Sequence, residues 1–172
     1  MKSTITQRAR PAVWGPLRKL ERGTLFSLFS LFALLALFPP PALAQFSMVP
    51  APLCAPPRDS ANDVEQEYRI DAARHLYACY PMRIYRGKLQ PLLYGVMMVE
   101  TEIDATGKVL DIHVVRKPAA DEVAPWVLAM IRRAAPYPAP VKMAGGTIKF
   151  TEVFFVDKSG LFQTMSLTEG QK

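Results

Sequence analysis

Residues 95–115 read GVMMVETEIDATGKVLDIHVV, and their spacing predicts a β-hairpin. From Val99 to Ile103 apolar and polar residues alternate, the two-residue period of a half-buried strand. Asp104-Ala105-Thr106-Gly107 carries turn chemistry, with a glycine free to take positive φ. Residues 108–115 alternate again. Two such runs joined by such a turn pair as antiparallel neighbours.

On the C-terminal side, residues 119–135 predict a helix. Val123, Trp126, Val127, Met130, Ile131 and Ala134 share one face. Pro125 is tolerated in a first turn, Arg132 and Arg133 suit the negative end of the helix dipole, and Pro136-Tyr137-Pro138 stops it. Residues 147–156 predict a third strand, with Ile148, Phe150 and Val153 inward and Lys149 and Thr151 outward. Phe154 and Phe155 are adjacent, so one ring must turn away from the helices. Asp157-Lys158-Ser159-Gly160 is a second turn, and residues 161–167 are a candidate fourth strand. On the N-terminal side, residues 82–93 are irregular. Residues 63–79 predict a helix in which Val64, Tyr68, Ala72 and Leu76 recur every four positions. Ser60 and Asp63 have capping-box spacing, and Pro81 ends the helix. The order predicts an α+β domain over residues 63–172: an antiparallel sheet of three or four strands with two helices packed on one face.

The first 44 residues read differently. Arg8, Arg10, Arg18, Lys19 and Arg22 precede an apolar run over residues 25–38, followed by Pro39-Pro40-Pro41 and Ala42-Leu43-Ala44. Positive leader, apolar run and small-x-small ending make a secretory signal peptide. The alternative is a retained membrane anchor, although spanning a bilayer takes roughly 20 apolar residues. Either reading places residues 45–172 in the periplasm, free or anchored at the inner membrane, because positive charge stays on the cytoplasmic side. Residues 45–62 form a proline-rich extended tail, expected outside the core.

Charge follows the same division. The chain has 21 Lys+Arg and 15 Asp+Glu. The leader holds six of the basic residues and only Glu21 among the acids, so the remainder carries a net +1. The basic character belongs to targeting and does not point to nucleic acid. Cys54 and Cys79, both in the exported part, are expected to form a disulfide.

No catalytic constellation emerges. His113 sits on the outward side of its strand and His75 is expected at the helix surface; neither has the spacing of a metal ligand set. Glu100 and Glu102 read as a solvated strand face. Nucleophile-elbow, phosphate-loop and dinucleotide fingerprints are missing. An enzyme, a cofactor and a metal are not expected.

The chain resembles the C-terminal domain of the TonB family of energy transducers over about residues 75–157. Tyr80-Pro81 matches that family's Tyr-Pro ahead of the first strand. Residues 95–109 are similar to its G-x-V-x-V-x-F-x-I-D-x-x-G-x-V, and residues 129–140 to its A-h-R-x-A-x-P-F-P-x-P. Val115-Arg116-Lys117-Pro118 departs from the family's Ser-Gly, and Ala124-Pro125 from its Leu-Asp. The resemblance implies a periplasmic module that binds a partner protein, such as a segment of an outer-membrane receptor, by strand addition at a sheet edge. It places the contact at Tyr80, Pro81, Ile148, Phe150, Val153, Phe154, Phe155 and Val156. The alternatives are a membrane-anchored transducer of an outer-membrane transport system, should residues 24–44 be retained, and a self-pairing domain forming a homodimer.

Overall fold

In the computed structural model, which describes Phe46 and residues 48–172, the hairpin lies where the alternation puts it. The signal or anchor segment falls outside the described residues. Strand β1 (Gly95–Ile103) pairs antiparallel with β2 (Val109–Arg116). Asp104 closes the turn between them. Its Oδ1 accepts the Thr106 N–H at 2.8 Å, the Thr106 hydroxyl at 2.6 Å and the Lys108 N–H at 3.0 Å. Gly107 takes a φ of 82°, and a Cβ there would run into the Tyr137 carbonyl. Tyr137 N–H donates to Gly107 O at 2.7 Å. The turn therefore also fixes the chain leaving the second helix.

Strand β3 (Ile148–Val156) pairs with β1 on the side opposite β2, and short β4 (Phe162–Thr164) adds to β3. The sheet order is β2-β1-β3-β4, all antiparallel. A second Asp turn, in which Asp157 Oδ1 accepts from Ser159 and Leu161, connects β3 to β4. The candidate fourth strand is thus real but shorter than residues 161–167: Met165–Leu167 form a 3-10 turn instead.

Helix α1 (Glu65–Cys79) and helix α2 (Val123–Arg133) complete an α+β unit. Tyr68, Ala72 and Leu76 of α1 join Val123, Trp126, Val127, Met130 and Ile131 of α2 and the inward residues of β1 and β3 in one core. Buried tyrosine hydroxyls cross-brace it: Tyr68 donates to Pro138 O at 2.8 Å, and Tyr80 to Met130 O at 3.1 Å. Among the described residues no helix is long and apolar enough to cross a membrane.

Four expectations need correction. The β1–β3 register runs unbroken from Gly95↔Val156 to Ile103↔Ile148. Strict alternation then turns Glu152 inward and Val153 outward, the reverse of the hydropathy-based assignment. Ser60 is not a helix cap: α1 starts at Glu65 without a side-chain cap, and the Ser60 hydroxyl donates to Asp71 Oδ2 at 2.8 Å. Helix α2 begins at Val123 rather than near residue 119. The tail is not excluded from the core. Phe46 is buried, with its ring 5.4 Å from Trp126 and 5.8 Å from Tyr94. Leu53 N–H donates to Cys79 O at 2.8 Å, and Ser60 N–H to Ala139 O at 2.9 Å.

Candidate protein-binding border

A sheet binds an extended segment only where a strand border is free, so each border of this sheet matters. β2 forms one outer edge. Its ladder slips between Met98 and Val99 and again between Glu102 and Ile103, leaving Val115 and Leu110 without partners on β1. Both side chains are exposed. Two bulges in one short strand bend and twist it, which is how natural sheets blunt an edge.

The other side is divided. β4 covers β3 only at residues 154–156. The outer side of β4 is itself covered, since Tyr85 N–H donates to Phe162 O at 2.9 Å and the Gln163 amide donates to Tyr85 O and Gly87 O. Residues 148–153 of β3 have β1 on one side and, among the described residues, no strand on the other. Two side chains mark the groups that point away from β1. Arg69 Nη1 donates to Thr151 O at 3.3 Å, and Val153 N–H donates to Glu152 Oε1 at 2.9 Å. In a strand such groups alternate, so Lys149, Thr151 and Val153 present the free border.

Glu152 sits where the β3–β4 ladder stops. Its Oε1 also accepts the Ser166 N–H at 3.2 Å. One carboxylate oxygen thus ties the 3-10 turn after β4 to β3. Burial pushes the Glu152 carboxyl above the usual carboxylate range, while the bonds from Ser166 and Val153 and the charge of Arg69 pull it back. Its Oε2, the Thr164 hydroxyl and the Arg69 Nε are buried without partners. A cavity of about 20 Å³ lined by Glu152, Thr164, Thr101 and Leu76 lies alongside, room for one water.

The side chains named by the sequence reading fall into three environments. Tyr80, Ile148, Phe150, Phe154 and Val156 are core residues. The last four belong to β3, where alternation turns their backbone groups toward β1 and not toward the free border. Pro81 is exposed and opens the 3-10 turn Pro81–Arg83. Val153 and Phe155 are half-buried on the face opposite the helices. Outside that set, Arg69 and Glu152 hydrogen-bond backbone groups of this border, and the sequence signalled neither: a helix arginine and a strand glutamate look like ordinary surface charges. Glu100 and Glu102 do form a solvated face, within 3.9 Å and 3.5 Å of Lys149, the kind of exposed pairing that contributes little.

No family model, curated protein or solved structure matches this chain.

Cys54 and Cys79 form the expected disulfide. His75, expected at the surface, is buried beside it. Its Nε2 lies 2.8 Å from Ala134 O and 3.4 Å from Cys79 Sγ. The reason is the turn after α2, which brings Ala134 and Tyr137 over that face of α1; the Tyr137 ring lies 5.2 Å from the imidazole. His113 is exposed on β2 as expected.

Proposed function

We propose that this chain is a periplasmic, TonB-like protein-binding module that takes an extended segment of a partner protein along the outer border of β3. The observation that carries this reading is the half-covered border: β4 ends opposite Phe154, and residues 148–153 continue, among the described residues, with no strand on the side away from β1. The blunting of β2 by two bulges supports the same side. The groups a partner would meet, Thr151 O and Val153 N–H, are held by single side-chain bonds. An incoming backbone can satisfy these two β3 groups in place of the side chains.

The test uses isotope-labelled protein and, as probe, a short synthetic peptide copying the extended N-terminal segment of an outer-membrane receptor, at millimolar concentration. Amide shifts at Lys149, Thr151 and Val153 are expected. Shifts confined to β2, or none, overturn the reading. Self-pairing through the same border is the competing result, and concentration-dependent shifts without peptide would reveal it.

A further inference from the structure

We propose that Cys54, His75 and Cys79 form a redox-gated site for a thiophilic d10 cation, with zinc(II) as the ion it suits. The two sulfurs and a ring nitrogen of His75 lie within 4.8 Å of one another. His75 and Cys79 are one turn apart on α1, and Cys54 arrives from the tail, held by the Leu53 N–H bond to Cys79 O. With zinc–nitrogen bonds near 2.0–2.1 Å and zinc–sulfur bonds near 2.3 Å, a tetrahedral ion separates nitrogen from sulfur by about 3.6 Å and two sulfurs by about 3.8 Å. His75 Nε2 stands 3.4 Å from Cys79 Sγ, close to the first of these edges. Once the disulfide opens, small side-chain rotations supply the second.

Two helix ends favour a cation independently of the ligands, although Arg133 also lines the cleft there. Cys79 is the last residue of α1, and Ala134 caps the C-terminus of α2. Two helix C-termini, with their partial negative charge, thus meet at this point. Ala134 O now accepts from His75 Nε2 at 2.8 Å. When the imidazole proton moves from Nε2 to Nδ1 and Nε2 takes the ion, that carbonyl faces a cation in place of an N–H. Arg133 lines the cleft beside the cluster, where its Nη1 donates to Val49 O at 2.8 Å. A cleft of about 230 Å³, lined by Cys54, His75, Pro57 and Pro136, opens onto the cluster. It leaves room for a water as fourth ligand.

The gate is the disulfide itself. A dithiol or phosphine reductant supplies two electrons, the S–S bond breaks, and each sulfur takes up one proton. Zinc binding then releases both protons, leaving two thiolates and a neutral imidazole on the ion. Oxidised protein has neither thiolate and holds no ion there. Soft thiolate ligands select zinc or copper(I) over magnesium and calcium.

The experiment uses the protein as it is exported, oxidised or reduced with a phosphine under argon, and titrated with cobalt(II) and then zinc(II). Expected is one equivalent of cobalt in the reduced form only, with thiolate charge-transfer absorption and tetrahedral ligand-field bands that zinc abolishes. His75→Ala should weaken zinc binding by at least about 10–100-fold, the range that loss of a mere outer-shell partner reaches. His75→Asn, which keeps a polar group facing Ala134 O, should weaken it similarly. Near-ultraviolet circular dichroism, reporting the packing of Trp126, shows whether each variant has folded. Equal metal uptake by oxidised and reduced protein overturns the proposal. So does unchanged affinity in a folded His75 variant, which would mean loose binding by two thiols and a disulfide of purely structural role.

Discussion

Phe162→Ala tests the idea that β4 is a separable clasp on β3. The Phe162 ring is fully buried. It lies 5.9 Å from Tyr77, 6.2 Å from Trp126 and 6.1 Å from Phe154, so it joins α1, α2 and β3. Burying a ring of this size is worth about 1.5–3 kcal/mol. Truncation to Ala also leaves a void between three rigid rings, which brings the expected cost to about 3–5 kcal/mol. With a urea slope of about 2 kcal/mol per molar, the midpoint should fall by about 1.5–2.5 M with an unchanged slope. Amide hydrogen exchange adds the decisive detail. Amides between β3 and β4 should exchange faster in the variant, while those between β1 and β3 keep their relative protection. A midpoint shift below about 0.5 M would refute the packing argument. Equal acceleration across both ladders would refute the clasp.

Further outcomes follow from the same contacts. Gly107→Ala forces a side chain into positive φ and against the Tyr137 carbonyl; adding about 1 kcal/mol for backbone strain to about 1–3 for the clash predicts a loss of about 2–4 kcal/mol in urea unfolding. Glu152→Gln probes pH dependence. A carboxyl whose value is raised by folding holds its proton more tightly in the folded chain, so it lowers stability as pH rises through that raised value. Urea midpoints measured from about pH 4 to about pH 8 should show the variant's advantage growing with pH; a constant difference would mean that Glu152 is not desolvated. Reducing the Cys54–Cys79 disulfide opens a loop with a sequence separation of 25 and should cost about 3 kcal/mol in metal-free buffer. The same step should speed exchange at the Leu53 amide, and an unchanged melting temperature would contradict it.

The elements with strong periodicity were legible before any coordinates. The 95–115 hairpin, the apolar face of α2 and the α+β class follow from alternation, turn chemistry and three-to-four-residue spacing, which are properties of neighbouring residues. Errors arose where the deciding partner is distant in the chain. Val153 looked like a core residue, but its orientation is set by an unbroken register with β1, so Glu152 points inward. His75 reads as a surface residue of its helix, but Ala134 and Tyr137 from the turn after α2 cover it. Phe46, in a proline-rich stretch, is drawn into the core because Trp126 and Tyr94 leave a place for its ring.

By itself, then, the sequence determined which segments become strands and helices and that the two cysteines could pair. Tertiary structure alone decided which strand borders stay open, that a carboxylate is buried at the end of the β3–β4 ladder, and that His75 meets both sulfurs. Periodicity records the contrast between the two sides of one element. Edge coverage, desolvation and ligand clustering depend on where other elements come to rest, and that is set by packing between residues far apart in the chain.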